Sequence, residues 1–232
     1  MPNDAARAFS PYDDATQMRQ HVAEGQHRAV IGGLWDELGS LQLQFLRRQG
    51  LEPRHTFIDV GAGSFRAGVK LVPYLETNNY HAIDVQESLL DAGYTREVVP
   101  AGLAGRFPRK NYTANAGFDV SAFQRTFDFG IAQSVFTHMP IARLGDCLAA
   151  LAPWFHPGSL FFVTVFLVDD ADVMKAVKHW PGEVVTNPGH DPFHTTISAL
   201  HGLAARAPEW RMTVIGDWRH PRDQQMLRFA RR

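Results

Sequence analysis

The residues with the clearest chemical potential lie in one run, Phe57-Ile58-Asp59-Val60-Gly61-Ala62-Gly63-Ser64-Phe65-Arg66-Ala67-Gly68. An apolar, β-rich stretch ends there in a Gly-x-Gly turn that opens onto a helical pattern. Glycine permits a sharp backbone turn and lets a ligand approach the main chain closely. Donor N–H groups at a helix start can meet polar ligand atoms. Asp84 follows Gly63 by 21 residues, at the end of the next β-rich run. In an open α/β sheet those two strand ends lie side by side, and a carboxylate there accepts both hydroxyls of a ribose. The combination points to an adenosine-containing ligand. The plainer reading is a tight turn at Gly61 and Gly63, with Asp84 capping a helix at Ser88.

Charge selects among adenosine ligands. A dinucleotide site asks for a third glycine where Arg66 stands, so that the helix start faces a pyrophosphate. Asp59, two residues before Gly61, would repel a pyrophosphate but suits a ligand bearing an ammonium group. S-adenosylmethionine has one, so the sulfonium cofactor is favoured over NAD. Further along, His138 is the best candidate for a general base, with Gln133 and Thr137 near it; its other reading is a cap for a helix at Ile141. His190, Asp191 and His194 form a second cluster in a Pro/Gly-containing loop, with readings as lid, metal site, base, substrate contact or plain hydrogen-bonded residues, the last two favoured over metal. Asp169, Asp170 and Asp172 read as a solvated helix start ahead of a cation site. No metal is expected.

These residues need elements to hold them. Residues 1–14 read as a loose arm, and 15–31 as a helix of modest amphipathicity. Leu34, Leu38, Leu41 and Phe45 recur at helical spacing, predicting a helix near 33–48 with Gly50 at its C-terminal cap. Strands are expected at 56–60, 80–85, 111–114, 127–132, 160–168, 210–216 and 225–230. Helical patterns fall at 66–75, from 88, at 141–151 and at 197–203. This alternation implies right-handed βαβ units, a mostly parallel sheet and helices on both faces. The short link around His220-Pro221-Arg222-Asp223 cannot hold a crossover, so the last strand is expected to run antiparallel. The fold class is therefore α/β, a Rossmann-like seven-stranded sheet with an N-terminal helical extension. The domain division is 1–52 as arm and helical cap and 53–232 as the main domain.

Asp59-Val60-Gly61-Ala62-Gly63 resembles motif I of the class I S-adenosylmethionine-dependent methyltransferases. Ile83-Asp84-Val85 resembles their ribose-binding motif. Residues 127–140 resemble the fourth-strand motif with its active-site loop, and 148–159 the helix and Pro-Gly turn before strand five. The likeness spans roughly residues 56–168. It implies that Asp59, Gly61, Ala62 and Gly63 border the methionine moiety and that Asp84 holds the ribose. Adenine would sit between Val85 and the loop of Phe118-Asp119-Val120, and Gln133 near the sulfonium. Asp119 either accepts from the adenine amino group or caps the turn at Ser121. Two positions depart from the pattern. Phe65 replaces a frequent third glycine, which is expected to change the loop, and Ser159 replaces a second glycine after Pro157-Gly158.

Composition narrows the partners. The formal charge of the 232-residue chain is -1, so the basic field typical of nucleic-acid binding is missing. Gln133-Ser134-Val135-Phe136 also lacks the Asn/Asp-Pro-Pro-aromatic pattern of nucleobase amino-methyltransferases, and DNA is not expected as substrate. A single cysteine, Cys147, excludes an internal disulfide framework and reads as a small core residue. The longest apolar run is too short to span a bilayer, and the first residues lack a signal-peptide core, so no membrane association and a cytoplasmic location are expected. The resulting expectation is methyl transfer to a small-molecule or glycan-like acceptor. The alternatives are an NAD-dependent oxidoreductase or a non-catalytic cofactor-binding module.

Overall fold

The computed structural model describes Ser10, Tyr12 and residues 14–232; most of the N-terminal arm lies outside the described residues. Three helices come first: α1 (Ala15–Ala23), α2 (His27–Val30) and α3 (Trp35–Arg48). The single helix expected over 15–31 is thus two, and the break falls at Gly25, whose φ of +81° ends α1. Asp14 caps α1 by accepting from the amides of Thr16 and Gln17. At the end of α3, Gly50 takes φ +96°. Its amide donates to Arg47 O and that of Leu51 to Leu46 O, the paired bonds of a Schellman cap.

The α/β core follows as β1 (Phe57–Val60), α4 (Gly68–Tyr74), β2 (Tyr80–Asp84), α5 (Glu87–Gly93), β3 (Tyr112–Ala114), β4 (Phe127–Ala132), α6 (Ala142–Leu151) and β5 (Phe155–Val165). After it come β6 (Val177–His179), β7 (Val184–Thr186), α7 (Ile197–Ala204), β8 (Trp210–Asp217) and β9 (Gln225–Arg231). Seven strands form one sheet in the order β3-β2-β1-β4-β5-β9-β8. β9 pairs antiparallel with both neighbours, while the other pairings in the sheet are parallel. The last strand is antiparallel as expected, but it inserts between β5 and β8. Burial explains the order: Met226, Leu227 and Phe229 of β9 are fully buried, whereas most of β8 is only half-buried and suits an edge.

Strand five differs from expectation at both ends. It begins at Phe155, and exposed His156, Pro157 and Gly158 bulge between the pairings of Phe127 with Phe155 and Phe129 with Leu160. It ends at Val165, after which Leu167 leaves the sheet to bridge Thr195. The hairpin of β6 and β7 was not expected from the sequence; its strands are three residues each, too short to show a period.

Each sheet face carries its own core. On one face Ile58, Val60, Phe161, Val163 and Phe229 pack with Leu144, Cys147 and Leu148 of α6 and Leu200 and Leu203 of α7. On the other, Phe57, Ile131 and Phe162 pack with Phe45 of α3, Leu71 of α4 and Leu90 of α5. Period-two alternation along β1 and β5 splits neighbouring side chains between the cores. Cys147 is buried as expected and burial pushes its thiol pKa up, which suits an inert core residue. No helix of the described residues is long and apolar enough to cross a membrane.

One core residue gives the fold a pH dependence. His81 on β2 is 3 % exposed and packs edge-on against Phe123 and Phe127. Burial, with the Arg125 charge nearby, holds its imidazole down to about 3 from the ordinary 6.5. Between those values the unfolded chain binds a proton that the folded chain refuses, so stability falls as pH drops through the window. His81→Leu is expected to flatten the pH dependence of the unfolding free energy below neutrality by about 1.4 kcal/mol per pH unit, measured by urea unfolding at several pH values.

Candidate cofactor and acceptor site

The carboxyl ends of β1, β2 and β4 open into a cleft of about 500 Å³, within the range of small-molecule sites. Asp59, Gly61, Ala62, Gly63, Asp84, Val85, Phe118, Gln133 and His138 all line it, so the structure gathers these sequence-predicted residues at one place. Asp119 is the exception. Its carboxylate accepts from the Ser121 amide at 2.8 Å, it is exposed, and it does not line the cleft. The adjoining wall comes instead from Asn115, Ala116 and Phe118.

The glycine turn is shaped for close approach. Gly61 and Gly63 have φ of +71° and +54°. A Cβ on Gly61 would stand 2.3 Å from Val135 Cγ2, and one on Gly63 2.8 Å from Ile31 Cγ2. Phe65 was expected to alter this loop, yet it adopts φ +67°, the backbone state a glycine would favour. Its ring offsets that strain by full burial, edge-on to Phe107 and Tyr112. Behind the turn, the end of α5 presses closely enough that a Cβ on Gly93 would lie 2.5 Å from the Ser64 backbone.

The acidic residues are held differently. Asp84 Oδ2 accepts from the Gly63 amide and Oδ1 from the Gln86 amide, each at 2.8 Å. It therefore braces both the glycine turn and the start of α5, and burial raises its pKa against those stabilising bonds. Asp59 is buried on the cleft floor and accepts from the Tyr80 hydroxyl at 2.6 Å. Burial pushes its pKa up to about 7; the Tyr80 bond works the other way and nearby Asp84 adds to the rise.

Gln133 is the hub of a buried polar network. Its Oε1 accepts from Arg66 Nη2 at 2.6 Å and from Gln42 Nε2 at 3.2 Å, and its Nε2 lies 3.3 Å from His220 Nε2. Beside it, Thr164 Oγ1 accepts from the Ser134 amide and donates to Gln224 Oε1, both at 2.8 Å. Arg66 also donates to the carbonyls of Ile31 and Gly33. Burial, reinforced by the Arg222 charge, draws its pKa down to about 10. Gln42 was missed in the sequence, although a polar residue four after Leu38 and three before Phe45 falls on an apolar helix face. That position was its only signal.

His138 is not a cap for Ile141. Its Nδ1 lies 2.7 Å from Asp191 Oδ1, while Asp191 Oδ2 accepts from Ser10 Oγ. The carboxylate can only accept, so Nδ1 carries a proton and, in the neutral ring, Nε2 holds the lone pair. Tyr12 packs edge-on to His138, with ring centroids 4.8 Å apart, and donates its hydroxyl to Val30 O at 2.6 Å. Burial and the charges of Asp191 and Asp84 raise its pKa to about 12. The two rings wall off a second cavity of about 430 Å³, lined also by Met18, His21 and Asp191. Nothing in the composition of the arm marked Tyr12.

The remaining candidates disperse. His190 is exposed, and His194 is buried between Thr186 Oγ1 and Val173 O. Asp170 and Asp172 sit in an exposed single turn. Among the described residues no group of three or more His, Cys, Asp or Glu is placed to hold a metal. Trp35 lies under the Arg28 guanidinium, 4.6 Å from its centre, and is not part of the cleft lining.

No family model matches the sequence, and no curated protein matches it. Solved structures do. DhpI in complex with SAH superposes with a TM-score of 0.63 at 14% identity, covering 97% of this chain and 98% of that one. Magnesium protoporphyrin IX methyltransferase (ChlM) from Synechocystis PCC 6803 with bound SAM gives 0.61 at 13% identity, covering 99% and 100%. An O-methyltransferase family protein from Burkholderia thailandensis gives 0.62 at 16% identity, covering 97% of this chain and 64% of that one. The fold of this chain is that of the class I methyltransferases.

The network makes a prediction. Gln133→Leu would leave the buried Arg66 charge and Gln42 without their shared acceptor. It is expected to lower the unfolding free energy by about 2–3 kcal/mol, the scale of a lost hydrogen bond to a charged group, as measured by chemical denaturation.

Proposed function

We propose that this chain is an S-adenosylmethionine-dependent methyltransferase acting on a small-molecule or sugar-like acceptor. The observation that carries this reading is the joint lining of one cleft by the Gly61–Gly63 turn, Asp84 and Gln133, on a fold shared with proteins crystallised with SAM or SAH. The cleft fits the cofactor on its own terms. Gly61 and Gly63 put bare main chain along the cleft, Asp84 keeps lone pairs for a ribose beyond its bonds to the Gly63 and Gln86 amides, and Val85 and Phe118 offer apolar surface for adenine. Asp59 supplies an acid near an amino group, and Arg66 a positive charge near a carboxylate. The oxidoreductase alternative gains no support from the comparisons.

When bound, the cofactor supplies a methyl group already activated by its sulfonium. The residues of the chain then align the acceptor and manage its proton. His138, with Nδ1 held by Asp191, is the base we assign for an acceptor hydroxyl. Asp191 is its positioning residue, fixing the tautomer and stabilising the charged ring. Tyr12 packs against the same ring and shields it on one side.

Isothermal titration with SAH, with NAD as the control titrant, is the first test. Saturable SAH binding is expected, weakened at least about ten-fold in Asp84→Ala through loss of bonds worth over 1.4 kcal/mol; binding of NAD but not SAH would sink the reading. With an acceptor found by screening, His138→Ala is expected to cut kcat by about 10²–10⁴. Asp191→Asn should cost less and distort the pH profile of kcat. Unchanged turnover in His138→Ala would remove the base assignment, and SAH binding without turnover on any acceptor would favour a non-catalytic cofactor-binding module.

A further inference from the structure

Two carboxylates, Asp59 and Asp84, line the cleft, but their hydrogen bonds go to Tyr80 and to the Gly63 and Gln86 amides, and to neither Arg66 nor Arg222. Both arginines line the cleft too, and among the described residues neither has a carboxylate partner. They grip three successive carbonyls of one turn. Arg66 takes those of Ile31 and Gly33 at 3.0 and 2.9 Å, and Arg222 Nη2 takes that of Gly32 at 2.6 Å. A Cβ on Gly32 would lie 2.6 Å from Arg222 Nη1, so the turn is bare where that guanidinium rests on it. The Nε of Arg66 is buried with no acceptor. Burial and then the Arg222 charge draw the Arg66 pKa down, and Asp59 offsets only part of the effect, so an anion joining the pair would relieve the remaining repulsion.

The two arginines are not equivalent. Arg66 directs Nη1 and Nη2 to three protein acceptors, whereas the Arg222 side chain makes a single bond, leaving four of its five N–H donors. Arg66 belongs to the glycine loop. Arg222 reaches in from the turn between β8 and β9, two residues after His220, which lies 3.3 Å from Gln133 Nε2, while Gln133 Oε1 accepts from Arg66. His220 adds no charge to the site: burial and both arginines hold it neutral, with its pKa down at about 3. The Arg222 backbone is fixed as well: a Cβ on Gly182, in the β6–β7 hairpin, would stand 2.6 Å from its Cα.

A cofactor with one carboxylate can answer one guanidinium, and Arg66 adjoins the loop assigned to its methionine end. We propose that Arg222 recognises the acceptor by seating an anionic oxygen group on it, a carboxylate or a phosphate-type group. The inference rests on the cofactor reading above and narrows its acceptor from small molecules in general to anionic ones. Arg222 is then a specificity-determining residue, and His138 lines the same cleft for the proton.

The test titrates SAH into wild type, Arg222→Gln and Arg222→Lys, then titrates inorganic phosphate and, separately, benzoate into each SAH-saturated protein. Saturable binding of one anion to the wild-type complex is expected, weakened about ten- to a hundred-fold in Arg222→Gln and less in Arg222→Lys. SAH affinity should stay within about three-fold throughout, well under the loss of one charged bond. Which probe binds distinguishes phosphate-type from carboxylate acceptors. Two results would overturn the assignment: neither anion binding the SAH complex, or Arg222→Gln weakening SAH ten-fold but leaving binding of its decarboxylated analogue unchanged. The second would give Arg222 to the cofactor's own carboxylate. If wild type failed to bind SAH at all, the cofactor reading would fall and this one with it; failure confined to the anions removes this one alone.

Discussion

A buried guanidinium has to be surrounded by acceptors, and in this molecule that requirement decides how the layers meet. Arg66 stands one residue after the loop that carries Gly61, Gly63 and the left-handed Phe65. Its acceptors come from the turn after α2 and from the end of β4. Satisfying one charge therefore sets the N-terminal helices over the sheet and fixes the side-chain amide of Gln133 at the cleft. Through Gln133 and its neighbours the constraint extends to α3, β5 and the β8–β9 turn. A packing that broke these bonds would strand further buried polar groups beside Arg66 Nε and Gln42 Oε1, which already lack partners.

The two sides of the cleft differ in kind. At the glycine turn the main chain does the work: positive φ, missing Cβ atoms and the Gly63 amide already turned toward Asp84. Elsewhere in the cleft side chains do it, with Tyr12, His138 and Arg222 arriving from three separate stretches of chain and Asp191 holding His138 from a fourth. The first arrangement suits an invariant part of a ligand read by shape. The second suits a variable part read by charge and hydrogen bonding, and it is where small sequence changes alter specificity at little cost to the fold.

Much of the sheet was legible because its signals are local. Residues 127–132 form a strand at the predicted bounds, and Gly50 closes α3 by the cap its position suggested. The Gly-x-Gly turn and Asp84 fall at successive strand ends, so a sequence interval translates directly into a place on the carboxyl edge. Strand five was misplaced because Pro157 and Gly158 read as a boundary, whereas the structure carries them as a bulge inside the strand. Phe65 read as a departure because sequence cannot show that two aromatic neighbours would hold a non-glycine residue at positive φ.

The sequence by itself determined the α/β class, the antiparallel last strand, the carboxyl-edge location of the cleft and the residues of its glycine half. Each of these follows from periodicity, short connections or strand-end chemistry, which act over neighbouring residues. Only the tertiary structure decided that β9 inserts inside β8, that Asp119 turns to Ser121 and away from the cleft, and that Asp191 meets His138. It alone brought Tyr12 and Gln42 to the site. The Asp191–His138, Gln42–Gln133 and Arg222–Gly32 pairings join residues 53, 91 and 190 positions apart, where no local pattern reaches and the balance of burial against unsatisfied charge selects the partner.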